Sequence, residues 1–352
     1  MYTMLASSET HPRPGYSREV RLRARSTGLP TAEHFTVVSL PEPTPAAGDV
    51  LLQNRYFRVS ASLRMMMSEG AEAVEGVPFP ALRPGDTLAE EALGEVITAP
   101  AGSGLSRGDL VLHHCGFREI AAVPVSACQR VDDTLPDPVA YLGHGWTAYA
   151  VLTRAAHVRA GDTVFVSSAA GSIGSMAARI ARRLGAARII GSTSTLAKGK
   201  RLVSELGYDA AVTREGGPLL AQLRSAAPDG IDVALDNVGG EQLQAAVQAA
   251  RRGARIIVVG ALSGQLAEQG TGRSAPAVLD SFPILLGRVT IRGYSADDDA
   301  DARPEWNRLF GAALRAGELQ FPHVRIRGLE QAPQALCDVM RGHHLGTVIV
   351  EV

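Results

Sequence analysis

The feature that most constrains how this chain can fold is one short turn. Residues 169–174 read Ala-Ala-Gly-Ser-Ile-Gly. The turn ends the apolar run DTVFVSSAA (162–170) and opens the Ala-rich stretch GSMAARIARRLGA (174–186). The run has the look of a strand buried on both faces, and the stretch has helical periodicity. A strand passing through a glycine turn straight into a helix is the first half of a βαβ unit, whose sheet is parallel. In that setting Gly171 lets a pyrophosphate approach the backbone and Gly174 lets helix pack closely on strand. The helix N-terminus offers free N–H groups and partial positive charge. An ordinary tight βα turn could carry the same glycines, so the flanking pattern has to decide.

That pattern repeats. RIIGST (188–193) reads as a second strand and LAKGKRLVSELG (196–207) as a helix ended by Gly207. GIDVALDNVG (230–239), EQLQAAVQAARRG (241–253, closed by Gly253), ARIIVVGAL (254–262) and VTIRGYS (289–295) continue as strand, helix, strand, strand. The order implies an α/β fold with a doubly wound parallel sheet. From Val20 to about Pro138 the pattern differs, with short strands such as HFTVVSL, DVLLQNRYFRV, LGEVITAP and DLVLHH split by Gly- and Pro-bearing turns. After Pro304 a helix (305–319), a polar helix and the strand TVIVEV (347–352) return to this first region. The expected organisation is a loose arm at 1–18, a β-rich domain of 19–138 with 304–352, and a nucleotide domain of 139–303.

Composition narrows the function classes. The 352 residues, 45% of them hydrophobic and 20% charged, suit two globular domains. A net charge of -1 leaves no basic field for nucleic acid or an anionic membrane surface. No apolar run approaches the roughly 18–20 residues of a membrane span. The polar start of the chain lacks the apolar core of a secretory signal, and its few arginines weigh against a transit peptide. Three cysteines, Cys115, Cys128 and Cys337, show no CxxC spacing and suit a reducing cytoplasm. Cys115 beside His113 and His114 could suggest a metal cluster, although a strand end explains them as well.

The second strand bears on the cofactor. An NAD-selective fold of this kind places an acid there for the ribose 2′-OH. Here the strand ends Gly191-Ser192-Thr193-Ser194-Thr195, and Lys198 follows. The chain has only two lysines, Lys198 and Lys200. Hydroxyls and a cation suit a 2′-phosphate, which points to NADP(H), though two lysines can also simply solvate a helix start. Asp236-Asn237-Val238-Gly239-Gly240 and Gly260-Ala261-Leu262-Ser263 end the fourth and fifth strands, where the nicotinamide half would lie. Asp236 could equally cap the helix that follows.

With these segments the chain resembles the medium-chain dehydrogenases/reductases, in the zinc-free branch of prostaglandin and alkenal double-bond reductases. The similarity runs from about residue 20 to 352 and rests on TGLPTAEHFTVV, GWTAY (145–149), SSAAGSIGSMAARIARRLGA, ELGYDAAV (205–212), PDGIDVALDNVGG (228–240), ARIIVVGALS, and GLEQAPQAL with GHHLGTVIVEV. The resemblance implies a GroES-like β domain, a Rossmann domain, an active site between them, NADPH, no zinc, and hydride transfer to an enone or enal. Homodimers are common in the branch. By matched position, Gly171, Ser172, Ile173 and Gly174 hold the pyrophosphate. Ser192, Thr193, Ser194, Lys198 and Thr213 lie at the adenosine end. Asn237, Val259, Gly260, Ala261, Leu262, Ser263, Thr147, Ser295, Ala296 and His344 complete the cofactor side.

The departures concentrate in the substrate pocket. The branch usually has tyrosine at Thr213 and asparagine at His344, and Asp-Pro-Tyr-Met-Arg where this chain reads Ser60-Ala61-Ser62-Leu63-Arg64. A tyrosine favoured for substrate contact is absent, with Ser263-Gly264-Gln265 in its place. Four residues are the catalytic candidates: Tyr294, Ser60, Arg64 and His144. Each has a structural alternative. Tyr294 could pack at the domain junction, His144 (with Tyr149 nearby) could bond between domains, Arg64 could pair within the β domain, and Met65-Met66-Met67 could be core. The expected activity is reduction of an activated C=C bond in a small, apolar, carbonyl-bearing molecule. The altered pocket also leaves open quinone or carbonyl reduction, a redox-neutral cyclisation or isomerisation, and a non-catalytic NADPH sensor.

Overall fold

A computed structural model of the chain describes residues 14–73, 80–267 and 274–352. In chain order the strands are β1 (Tyr16–Leu22), β2 (Phe35–Pro41), β3 (Asp49–Val59), β4 (Ala92–Thr98), β5 (Leu110–His113), β6 (Ile120–Pro124), β7 (Gln129–Arg130), β8 (Thr163–Val166), β9 (Arg188–Thr193), β10 (Ala210–Thr213), β11 (Ile231–Asp236), β12 (Ala250–Val258), β13 (Thr290–Gly293), β14 (His323–Arg327) and β15 (Thr347–Glu351). Six of them form one sheet in the order β10-β9-β8-β11-β12-β13, and every pairing in it is parallel. Counted from β8, this is the strand order 3-2-1-4-5-6 of a dinucleotide-binding sheet. A seven-stranded sheet runs β14-β15-β3-β4-β5-β7, with β6 added on β3. The fold is therefore the expected α/β arrangement, and the last two strands join the sheet of the N-terminal half.

The parallel sheet is covered on both faces, and β8 shows why its sequence is continuously apolar. Val164, Phe165 and Val166 are all fully buried. Val164 and Val166 pack with Met176, Ala177, Ile180 and Ala181 of the helix Gly174–Arg183. Phe165 faces the other way, with Leu243, Ala246 and Val247 of the helix Gly240–Gln248. Alternate side chains thus enter two cores. The first core continues into the other sheet through Leu93, Leu112 and Ile349.

Several element boundaries differ from the sequence reading. Tyr16–Arg18, expected in a loose arm, belong to β1, where Arg18 donates through Nε and Nη2 to Glu119 Oε1 and the Ser17 hydroxyl accepts from Ile120 N. The remainder of that arm, 1–13, lies outside the described residues. The helix expected to close at Gly253 stops at Gln248, and β12 already starts at Ala250. Gly253, at φ +78°, lies inside β12 within the register shift between Ile231 and Val233 of β11, so it serves a bulge and not a helix end. The last long helix, Ala302–Arg315, begins before Pro304, which sits in its first turn where no N–H is needed. The helix read as polar, Ala332–Met340, buries Ala335, Leu336, Cys337 and Met340.

His113 is a core residue. Its Nδ1 accepts from Cys115 N, and its Nε2 lies so close to Gly94 that a Cβ there would come within 2.8 Å. Burial, with lesser pressure from Arg118 and His114, pushes its pKa down to about 3. The folded ring therefore stays neutral while the unfolded ring takes a proton below about 6.5. In that window the unfolded state binds more protons, so stability is lost as pH falls from about 6.5 toward 3, by at most about 1.4 kcal/mol per pH unit. In urea titrations across this range, His113→Asn is expected to show a shallower loss than the parent. Parallel pH profiles would contradict the assignment.

Candidate functional site

The strand order reverses between β8 and β11, and the carboxyl ends of these strands define the crevice. The glycine turn sits there. Ala169 N donates to Ser192 O at 2.8 Å and Ser168 N to Ser192 Oγ at 3.2 Å, so β9 holds the turn from beside it. Ser168 takes a left-handed φ of +53°. A Cβ on Gly174 would lie 2.5 Å from both Ala169 Cα and Ser168 O, so the helix can approach the turn only with glycine there. At Gly171 a Cβ would meet nothing but Ser168, at 3.3–3.4 Å. Gly174 thus serves the close packing of helix on turn, and Gly171 leaves open space beside the backbone. Ser172 Oγ links His144 Nδ1 (3.0 Å) to Thr347 Oγ1 (2.6 Å), and Ala170 O accepts from Gly346 N. The turn is tied in this way to the end of β15.

At the outer end of β9, Thr193 and Ser194 are half-buried and Thr195 caps the helix Leu196–Leu206 by accepting from Lys198 N. Lys198 is half-buried, with no carboxylate paired to it among the described residues. Burial first, and Arg201 second, lower its pKa. A Cβ on Gly342 would lie 3.5 Å from Lys198 Nζ, which places the ammonium against the 342–344 loop. His344 in that loop has a buried Nε2 without a partner, and burial lowers its pKa. Two expected contacts are altered. Ser192 is 1% exposed and supports the turn from beneath, since its hydroxyl accepts from Ser168 N. Thr213 is buried too. Its hydroxyl accepts from Gly216 N, and its backbone N–H and C=O both bond the Gln222 carboxamide, so the residue is built into the local turn.

On the other side of the switch point, two loops are zipped together. Asp236 O accepts from Val259 N and Gly260 N, Asn237 O from Leu262 N, and Val238 O from Ser263 N. A Cβ on Gly260 would come within 2.7 Å of Asn237 O. Asp236 does not cap the following helix. Its carboxylate accepts from Ser167 Oγ and from Val238 N and Gly239 N, which rigidifies the loop, while burial raises its pKa against those hydrogen bonds. Asn237 donates through Nδ2 to Ser167 O, which leaves Oδ1 buried without a partner. Thr147 is buried on the helix Gly145–Ala150. Ser295 is exposed, whereas Ala296 is buried with Ala150, Ala302, Trp146 and Tyr294.

The catalytic candidates fare differently. Tyr294 donates its hydroxyl proton to Asp299 and packs at the junction, and burial raises its pKa. Arg64 is 1% exposed and donates to Ser68 Oγ. It reads as a structural cation, and Met66 and Met67 join the surrounding core. Ser60 and Ser62 are half-buried and share a hydrogen bond at 2.7 Å. His144 precedes the helix Gly145–Ala150. Burial, then the charges of Arg58 and Arg303, drive its pKa well below 6.5, so the ring is neutral.

Those two arginines belong to a group missing from the sequence-based candidates. Arg58 pairs with Glu90 and Glu91, and Arg303 with Glu91, all within 2.9 Å. The pairs outweigh burial and hold Glu91 below its usual range. Arg58 and Arg303 also donate to the carbonyls of Leu142 and Tyr141, just ahead of His144. The sequence signal was available: adjacent acids in the apolar run ALGEV's approach, LAEEALGEV, and one arginine in YFRVS. Among the described residues no three His, Cys, Asp or Glu side chains gather as a metal site, and no helix is long and apolar enough to cross a membrane.

Comparison with known proteins now bears on this geometry. Residues 18–131 match the family model for an N-terminal domain of oxidoreductase, and 172–311 the model for a zinc-binding dehydrogenase. A putative NADP-dependent oxidoreductase, YfmJ, of Bacillus subtilis is 31% identical over 95% of this chain and 97% of its own. The chain belongs to the medium-chain dehydrogenase/reductase family, in its alkenal and prostaglandin reductase branch. Within the family, an NADP(+)-dependent 2-alkenal reductase of Nicotiana tabacum is 28% identical over 96% of this chain and 97% of its own. The crystal structure of CurA from Vibrio vulnificus in complex with NADPH superposes with a TM-score of 0.84 at 26% identity, covering 95% of this chain and 99% of that one. Gly174 in the turn leaves no room for a methyl group. Gly174→Ala is expected to force the turn and helix apart, destabilising the protein by about 1–3 kcal/mol and weakening dinucleotide binding. Unchanged melting and unchanged binding together would refute that.

Proposed function

We propose that the chain is an NADPH-dependent reductase of activated C=C bonds. The observation that carries the cofactor reading is Lys198, a half-buried ammonium with no carboxylate partner among the described residues, placed where β9 ends in hydroxyls. The turn from Ser168 to Gly174, the orphaned Asn237 Oδ1 and the free His344 Nε2 fit a dinucleotide lying across the switch point. Gly171 to Gly174 would hold the pyrophosphate, Lys198 with Thr193 and Ser194 the 2′-phosphate, and Asn237 with 259–263 the nicotinamide side. The names of the relatives, an alkenal reductase and a curcumin reductase among them, support the reaction class.

When bound, the reduced nicotinamide supplies a hydride. The substrate's β-carbon accepts it and the α-carbon takes a proton. The residues bind and orient: His144 stays neutral and fixes Ser172, and the Ser60–Ser62 hydroxyl pair is the proposed donor to the substrate carbonyl, stabilising enolate charge. This reading assigns no metal ligand. The substrate is a small, apolar, carbonyl-bearing molecule. The substrate side comprises 19–138 with 304–352, and the cofactor side 139–303.

The test follows NADPH and NADH absorbance with enones, enals and quinones. Expected is NADPH oxidation with an enone or enal and recovery of the saturated product; binding without oxidation on any acceptor would defeat the reading. Lys198→Ala should lose about tenfold or more in NADPH affinity, from roughly 1.5–3 kcal/mol for a charge-assisted contact, with NADH little changed. Equal weakening of both would remove Lys198 from the phosphate.

We also propose a homodimer. β13 ends the parallel sheet, and the helix Ser281–Gly287 packs a partly buried Ile284 against the core while Phe282, Leu285 and Leu286 stay more than half exposed, with Val278. A second copy facing it across a two-fold axis would cover both the edge and the apolar side chains. Light scattering should give twice the chain mass, and Leu285→Glu the chain mass; a monomeric parent would overturn this.

A further inference from the structure

We propose that Glu215 is a specificity-determining residue whose carboxylate weakens the preference for a 2′-phosphorylated dinucleotide. The idea rests on the cofactor reading above and goes beyond it. Glu215 lies in the turn after β10 and reaches across to the start of the neighbouring helix. Its Oε2 accepts from Leu196 N at 2.8 Å, and its own N–H donates to Ser194 O. The two loops that follow β9 and β10 are therefore joined at the place assigned to the 2′-phosphate. The first turn of a helix has N–H groups with no intrahelical acceptor. Thr195 takes that of Lys198, and Glu215 takes that of Leu196. An anion already sits on the helix end that a phosphate would use, at Leu196 N–H, two residues along the chain from half-buried Lys198.

The arrangement has two consequences for binding. A phosphate entering beside Lys198 meets a second negative charge on the same helix terminus. It must either tolerate that charge or displace the carboxylate from Leu196 N–H. An unphosphorylated dinucleotide brings no such charge and leaves the Glu215 contact intact. Thr213 offers little in compensation, because it is buried and its hydroxyl sits against Gly216 N–H. Glu215 is exposed, so solvent and salt screen it, and the effect should be several-fold and no more.

Glu215→Gln keeps an oxygen for Leu196 N–H and removes the charge. Dissociation constants for NADPH and NADH would be measured by fluorescence titration in the parent, in Glu215→Gln and in Glu33→Gln, which removes an exposed acid from the turn ahead of β2. Expected in Glu215→Gln is a three- to tenfold tighter NADPH complex, NADH within twofold, and a difference that shrinks in 0.5 M salt. Glu33→Gln should leave the ratio of the two constants unchanged. An unchanged ratio in Glu215→Gln, or equal tightening of both dinucleotides, would overturn the role of Glu215 while the NADPH reading stands. A parent that binds neither dinucleotide would overturn both.

Discussion

The site depends on a contact that only a missing side chain permits. The helix Gly174–Arg183 approaches its own preceding turn until Gly174 Cα lies over Ala169 and Ser168, with no space for a methyl group between them. That closeness aims the free N–H groups of the helix start at the crevice where the strand order reverses. It also sets the neighbours. Gly191 on β9 is similarly hemmed in, since a Cβ there would come within 2.6 Å of Ala169 Cβ and 2.9 Å of the Tyr208 ring, and the Tyr208 hydroxyl in turn bonds Gly174 O. Turn, helix and second strand are thus one packed unit, and the adenosine end of the crevice inherits its position from it.

A second constraint ties this unit to the other sheet. Arg58 on β3, Glu90 and Glu91 ahead of β4, and Arg303 on the helix Ala302–Arg315 form a buried set of alternating charges. Buried pairs add little net stability over apolar packing, but removing one partner strands a charge. Here the set also bonds the carbonyls before His144, and its two arginines add to the burial that suppresses that ring's protonation. The neutral ring then meets Ser172 in the glycine turn, and Ser172 meets Thr347 on β15. The short backbone stretch from Tyr141 to His144 thus joins the buried charges of one sheet to the glycine turn of the other.

How much of this was legible in the sequence varied with the kind of signal. The strand RIIGST, the helix 196–207 with Gly207 as its left-handed end, and the close packing at Gly174 are legible in the sequence, because short-range pattern and turn chemistry fix them. Gly253 was misread as a helix end, since glycine marks a bulge and a helix stop alike until the paired strand is known. Ser192 and Thr213 were read as cofactor contacts from their place at strand ends, but their hydroxyls are turned to the backbone of the turns beside them. The pairing of Glu215 with the start of a helix 19 residues earlier has no local signature.

The sequence alone determined the parallel sheet, the glycine turn at its centre and the cation at the end of β9, because periodicity, glycine spacing and residue type act over a few neighbouring positions; the family followed from the resemblance of whole segments. Tertiary structure decided which polar groups remain free. Arg64, Tyr294 and Asp236 look like site residues in the sequence, yet each is committed to a partner in the fold, whereas among the described residues Lys198 has no paired carboxylate and His344 Nε2 and Asn237 Oδ1 have no hydrogen-bond partner. The reason is that a polar group's availability depends on every element that packs against it, and those elements come from distant parts of the chain.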